Sequence, residues 1–157
     1  MKTKNLSPIA SFFRALHLLI SGRMRFPRDR VGETLVLENG ECWTIFRQVV
    51  VTPEPGRPAK AGAVFRPRFR VAGMSLRQNI RFSLLPIPFF TGLPGFRSKL
   101  WLYQAETGDF QGYYEWDSVE DAENYANSFA MQFMTRRSVP GSVSCRVIPV
   151  TDRENSR

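Results

Sequence analysis

The side chains best equipped for chemistry in this chain are arginines and aromatics set at alternating positions, and alternation is the spacing of a strand. Arg66, Arg68 and Arg70 fall on one side of the run 63–71, with Phe65, Phe69 and Val71 on the other. The same parity gives Lys99, Trp101 and Tyr103 one face of the run 96–103, Tyr113 and Glu115 one face of 110–116, and Arg146 one face of 142–150. A face of guanidinium groups and large rings suits a bound anion or an interface with a second copy. Glu115 alone cannot neutralise three arginines, so an anion, solvent or a partner's carboxylates must complete the balance.

Other chemistries lack their residues. His17 is the one histidine, which rules out a His-rich metal site, and a Ser-His-Asp arrangement would have to recruit it with no nucleophile motif in support. No glycine-rich phosphate loop is present, so neither a metal nor a cofactor is expected. Cys42 and Cys145 sit in apolar, strand-like settings without paired spacing, which predicts buried free thiols rather than a disulfide.

These faces need strands to carry them. Residues 96–103 and 110–116 suit a pleated sheet, and Glu106-Thr107-Gly108-Asp109 between them reads as the turn of a hairpin. Leu100, Leu102, Phe110, Tyr114 and Trp116 are expected to face the helices, away from Lys99, Trp101, Tyr113 and Glu115. At Asp117 the period changes: Asp117 as N-cap and Glu120 three residues on make a capping box. Val119, Ala122, Ala126, Phe129, Ala130 and Phe133 then form one helical stripe to about residue 136, stopped by Pro140-Gly141. A last strand follows over 142–150, with Val143, Cys145 and Val147 towards the helices. Upstream, Ser75 can cap a short helix before Pro86 and Pro88, and the uncharged, proline-broken run 83–96 is expected to pack over the sheet. Strand, helix, strand, strand, helix, strand is the α+β, ferredoxin-like βαββαβ order, an antiparallel sheet with helices on one face, here over 63–150.

Ahead of it, Ser7-Pro8 opens a helix with Ile9, Phe12, Phe13, Leu16, Leu19 and Ile20 on one apolar face, and Asn39-Gly40 marks a β-hairpin. Residues 1–51 therefore read as a helix and β-hairpin annex, 52–62 as a proline-rich linker and 151–157 as a flexible tail. A lone helix and hairpin would be marginal, so the annex is expected to dock on the main domain or on a second subunit.

Several short runs resemble a known superfamily: Pro94-Gly95-Phe96, Lys99-Leu100-Trp101, Gly108-Asp109-Phe110, Gly112-Tyr113-Tyr114, and Asp117 to Ala122 with Tyr125. They are similar to the second half of the small dimeric α+β-barrel proteins, the superfamily of the antibiotic-biosynthesis monooxygenases, and most of all to small bacterial proteins classed as monooxygenases. The likeness is densest over 94–126 and by element order extends over about 62–150. It implies a homodimer paired through its sheets, and a small apolar or aromatic ligand held between helices and sheet and oxidised without a cofactor. On that reading Tyr114, Trp116, Asn124 and Tyr125 orient the ligand. The superfamily hosts unrelated functions, so a non-enzymatic dimeric interaction module stands beside this reading, as does a peripheral protein attracted to anionic surfaces.

The third reading comes from charge. The chain carries a formal +8, of which residues 1–60 hold +5, with Arg23, Arg25, Arg28 and Arg30 beside the apolar helix. Such a cluster is either a solvated basic loop or a weak, reversible contact with anionic membrane. No recognised nucleic-acid module accompanies the charge, so no specific nucleic-acid partner is expected. Arg14 and His17 interrupt the N-terminal apolar stretch, which is too short to span a bilayer and lacks a cleavage pattern, so the expected location is cytoplasmic.

Overall fold

Four helices begin on a serine whose hydroxyl accepts a backbone N–H of the first turn: α1 (Pro8–Ile20) on Ser7, α2 (Leu76–Phe82) on Ser75, α4 (Val119–Ala126) on Ser118 and α5 (Phe129–Arg137) on Ser128. The fifth, α3 (Ile87–Thr91), follows Pro86. The computed structural model describes residues 6–151, so the flexible tail expected at 151–157 lies almost wholly outside the described residues.

Two caps differ from expectation. Asp117 does not open α4, because hydrogen bonds from Arg57 (2.6 Å) and Arg97 (2.8 Å) occupy its carboxylate; Ser118 accepts from Asp121 instead. The single helix expected to residue 136 is two helices, because Ser128 caps its own turn through Met131. The break rotates the second half of the apolar stripe out of register. Ala130 and Met131 are buried while Phe129 is 57% exposed.

The strands are β1 (Met24–Arg25), β2 (Thr34–Val36), β3 (Cys42–Val51), β4 (Ala63–Phe69), β5 (Phe96–Gln104), β6 (Asp109–Trp116) and β7 (Ser144–Pro149). They form one antiparallel sheet in the order β1-β3-β5-β6-β4-β7, with β2 also on β3. The portion β5-β6-β4-β7, crossed over by α2–α3 and α4–α5, is the ferredoxin-like βαββαβ unit. The segment ahead of the linker joins it by strand addition through β3, which pairs with the free side of β5, from Thr44 opposite Tyr103 to Val50 opposite Ser98.

Strand β5 faces the opposite way from its expected parity. Phe96 lies opposite Trp116 but Ser98 lies opposite Glu115, so one extra residue is inserted at Arg97. A bulge of one residue inverts every side chain beyond it. Lys99, Trp101 and Tyr103 therefore turn to the helix side, and Leu100 and Leu102 turn away. Arg97 is held at the bulge by the carbonyls of Pro58 and Ala59 and by Asp117.

Each face of the sheet has its own core. Between helices and sheet, Phe65, Phe90, Phe96, Trp101, Tyr114, Trp116 and Tyr125 form an aromatic cluster. On the other face Leu37, Trp43 and Ile45 of the hairpin pack on Leu100 and Leu102. The cysteines are free, but both are exposed rather than buried. Cys42 stands beside the hairpin turn and Cys145 on edge strand β7, where no further strand covers it.

Candidate functional site

Gly112 makes the local room on which the site depends. A Cβ there would lie 2.3 Å from Cε2 of Tyr114, so the absence of a side chain lets the Tyr114 ring lie back over the strand. From that position Tyr114 Oη is 2.6 Å from Nζ of Lys99 and 3.0 Å from Oη of Tyr125, which α4 presents from the opposite layer. Lys99, Tyr114 and Tyr125 thus make a continuous line of three polar groups through an otherwise apolar core.

Lys99 is 6% exposed. Its Nζ sits 4.2 Å from the ring centre of Trp101, 4.3 Å from that of Tyr114 and 4.6 Å from that of Phe90. Desolvation, reinforced by the Arg47 guanidinium, pushes the amine well below the ordinary lysine range. The three ring faces offset part of that cost. Burial drives both tyrosines the other way. Tyr114 is raised well above the ordinary phenol value by desolvation and then by Tyr125, and Tyr125 is raised by desolvation, against the hydrogen bond that it shares with Tyr114. Burial thus biases all three groups towards their neutral forms, against the pull of the three rings on the amine.

A cleft opens beside them. Trp101, Tyr114 and Gly112 form its sheet side, Tyr125, Met131 and Met134 its helical wall, and Asn79 and Ser83 its far end. No carboxylate lines it. Its free space for water-sized occupants is about 30 Å³, close to the volume of one water. Arg47 stands next to it, donating to Ser83 Oγ (2.5 Å) and to the Ile80 carbonyl (3.1 Å) while its guanidinium lies 5.5 Å from the Trp101 ring centre.

Of the residues expected to orient a ligand, Tyr114 and Tyr125 line this cleft. Trp116 is fully buried behind it, stacked on Tyr125 at 5.2 Å. Asn124 is half-buried on α4 and does not line it. The arginine face finds its carboxylates within the chain. Glu38 of the hairpin turn bonds Arg66 at 2.6 Å and Arg146 at 3.3 Å, Glu41 bonds Arg68 at 2.9 Å, and Asp109 bonds both Arg68 and Arg70 at 2.8 Å. Tyr113 packs against the hairpin core and Glu115 accepts from Ser98. Arg30 pairs with Glu33 and Arg23 with Glu54, while Arg25 and Arg28 are exposed.

Sequence reasoning placed Lys99 on the wrong face and did not single out Arg47, Asn79, Ser83, Met131 or Met134. The residues 100–102 are apolar in succession, so alternation carried no signal of which way Lys99 would turn.

No family model and no curated protein sequence matches the chain. Solved structures do. An uncharacterised ferredoxin-fold protein related to antibiotic biosynthesis monooxygenases from Listeria monocytogenes superposes with a TM-score of 0.56 at 14% identity, over 77% of this chain and 70% of its own. A monooxygenase-like protein from Listeria innocua gives 0.54 at 12% identity, over 74% and 68%. A heme-degrading enzyme from Listeria monocytogenes gives 0.54 at 12% identity, over 73% and 74%. At these identities the likeness establishes the fold, and the fold is the one that the resemblance in the sequence implies.

Proposed function

We propose that the chain is a monooxygenase-like α+β-barrel protein that binds a small aromatic ligand carrying an acidic hydroxyl. The observation that supports this is Lys99: an amine sealed among three rings, biased towards its neutral form, at the edge of a cleft without carboxylates. In this reading the ligand's O–H proton moves to Nζ, leaving an aryloxide beside an ammonium. Burial opposes both charges, so their mutual attraction and the hydrogen bonds to the aryloxide must offset the desolvation cost. Tyr114 and Tyr125 stay protonated and donate to the oxygen that gains charge. An electron-rich aryloxide shielded from water is the form of substrate that cofactor-free oxygenation requires.

The probe is 4-nitrophenol, whose anion absorbs in the visible, offered at a pH where the free phenol is mostly neutral. Wild-type protein should raise the anion's absorbance saturably, and Lys99→Met, with its circular dichroism unchanged, should not. No saturable rise, or the same rise with Lys99→Met, removes the reading. The size of the cleft favours a second reading: a ring enters only if Met131 and Met134 yield, as flexible methionines can. A cleft that stays closed to every phenol tested would leave a non-enzymatic interaction module. The homodimer belongs to both readings. Because Trp101 and Tyr103 face inward and the hairpin covers Leu100 and Leu102, pairing would use the remaining outward face around Glu115 and Arg146. Sedimentation at micromolar concentration tests it, and a monomer removes it.

A further inference from the structure

Helix α1 does not pack with its broadest apolar face. Ser11, Ala15 and Leu18 are its buried residues. Ser11 Oγ donates to the carbonyls of Pro88 (3.2 Å) and Phe89 (3.0 Å), and a Cβ on Gly92 would stand 1.9 Å from the Ser11 carbonyl oxygen. This close seat on α3 fixes the rotation of α1 and turns its large apolar side chains outward. Ile9, Phe12, Phe13, Leu16, Leu19 and Ile20 are all exposed, Phe13 by 63% and Ile20 by 77%. At 3.6 residues per turn they cover an arc of roughly 120°. Leu84, Leu85 and Phe26 continue the surface, and a groove of about 240 Å³ between α1, α3 and β1 has only apolar residues in its lining. Contiguous apolar surface on this scale marks an interaction site.

Charge decides what covers it. Residues 6–28 contain four Lys/Arg and no Asp/Glu, and residues 55–105 contain no Asp/Glu either. The chain segments that build the patch are therefore wholly without acid. His17 lies between Phe13 and Ile20 on the helix surface, and Arg77 and Arg81 share a side of α2 with the following Leu84. Arg25, Arg28, Arg77 and Arg81 have no carboxylate partner among the described residues. A second copy seated symmetrically on this face would bring basic rim against basic rim, since a two-fold interface repeats the same patch on both sides. Anionic headgroups neutralise that rim while acyl chains receive the rings and leucines.

We propose that the face formed by α1 and the α2–α3 turn docks on the surface of an anionic lipid bilayer, with α1 lying in the interface plane. The α1 rings enter the headgroup–acyl boundary and the arginines meet lipid phosphates.

The full chain is co-sedimented with phosphatidylcholine vesicles and with two-to-one phosphatidylcholine–phosphatidylglycerol vesicles, at low and physiological salt. The expected result is binding to the phosphatidylglycerol vesicles at least tenfold stronger than to phosphatidylcholine alone, weakened by salt. Phe13→Ser with Ile20→Ser alters only exposed side chains and should lower that binding at least tenfold. Arg77→Gln with Arg81→Gln should lower it several-fold while leaving the circular dichroism unchanged. Equal binding to both vesicle types overturns the proposal, as does no binding at low salt, or binding indifferent to the Phe13 and Ile20 pair. A protein that sediments as a dimer, becomes a monomer with the same pair and ignores vesicles assigns the face to a second copy and also overturns it.

Discussion

Replacing Lys99 with methionine should flatten the dependence of stability on pH. In the folded chain the amine is held well below the ordinary lysine value of 10.5 by burial and by Arg47, whereas in the unfolded chain it is solvated and charged. Between the depressed folded value and about 10.5 the unfolded state therefore binds one more proton than the folded state. Stability then rises with pH by up to about 1.4 kcal/mol per unit. The sign is that of a depressed base: stability is greatest above the unfolded value and is lost as pH falls towards the folded one. Lys99→Met keeps a chain of similar length among Phe90, Trp101 and Tyr114 but has no proton to gain. Subtracting its stability from the wild type's removes every other titration common to both. Urea titrations at pH 8, 9 and 10 should give a wild-type minus variant difference that climbs with pH, by no more than about 1.4 kcal/mol per unit. Parallel curves would mean that the three rings keep the amine charged, and the neutral-amine basis of the proposed chemistry would be lost.

Phe90→Ala should cost about 3–5 kcal/mol, because that ring is fully buried against Phe96, Trp101, Tyr114 and Tyr125, whereas Phe129→Ala on the exposed flank of α5 should cost under about 0.5. Similar losses in urea would refute the assigned orientation of α5. Burial would raise the Asp117 carboxyl, but hydrogen bonds from Arg57 and Arg97 outweigh it and hold the group below the ordinary 3.8. Asp117→Asn should cost about 1.5–3 kcal/mol at neutral pH. Because a depressed acid loses its contribution as pH falls through its folded value, the gap between wild type and variant should close below about pH 4; a gap that persists there refutes the assignment.

What the sequence made legible was local. Asn39-Gly40, Ser75 with Gln78, Gly108 and the alternation at 110–116 each act through their own backbone, and each stands where its chemistry put it. The order of elements, and hence the ferredoxin-like unit, followed from them. Orientation was less legible, because it depends on what an element meets. The apolar side of α1 was plain, yet the helix seats itself through Ser11 and Ala15, because the absence of a side chain at Gly92 admits close approach. One of the three polar groups of the candidate site shared this difficulty. Tyr114 and Tyr125 lie on strand and helix faces that periodicity reads correctly. Lys99 joins them only because one residue is inserted at Arg97, and strand β5 is apolar on both faces beyond that point.

On the proposed reading, the division of α4 from α5 would set how quickly a ligand reaches Lys99. With Ser128 as its own cap, α5 can swing as an intact unit without sacrificing its first-turn hydrogen bonds. Two of its residues, Ala130 and Met131, are buried, against six in β6; the Phe133–Phe82 stack, the Arg137 guanidinium over both rings and a hydrogen bond from the Ala72 N–H to the Arg137 carbonyl complete its hold. Segments with so small a buried share open at a fraction of the global unfolding free energy, and such displacements take microseconds to milliseconds. Entry to the cleft would then be a two-step event in which the rate of association levels off as ligand concentration rises, at a plateau fixed by the helix rather than by diffusion. The same residues that make the closed cleft small would make occupancy long-lived, because departure waits on the same motion.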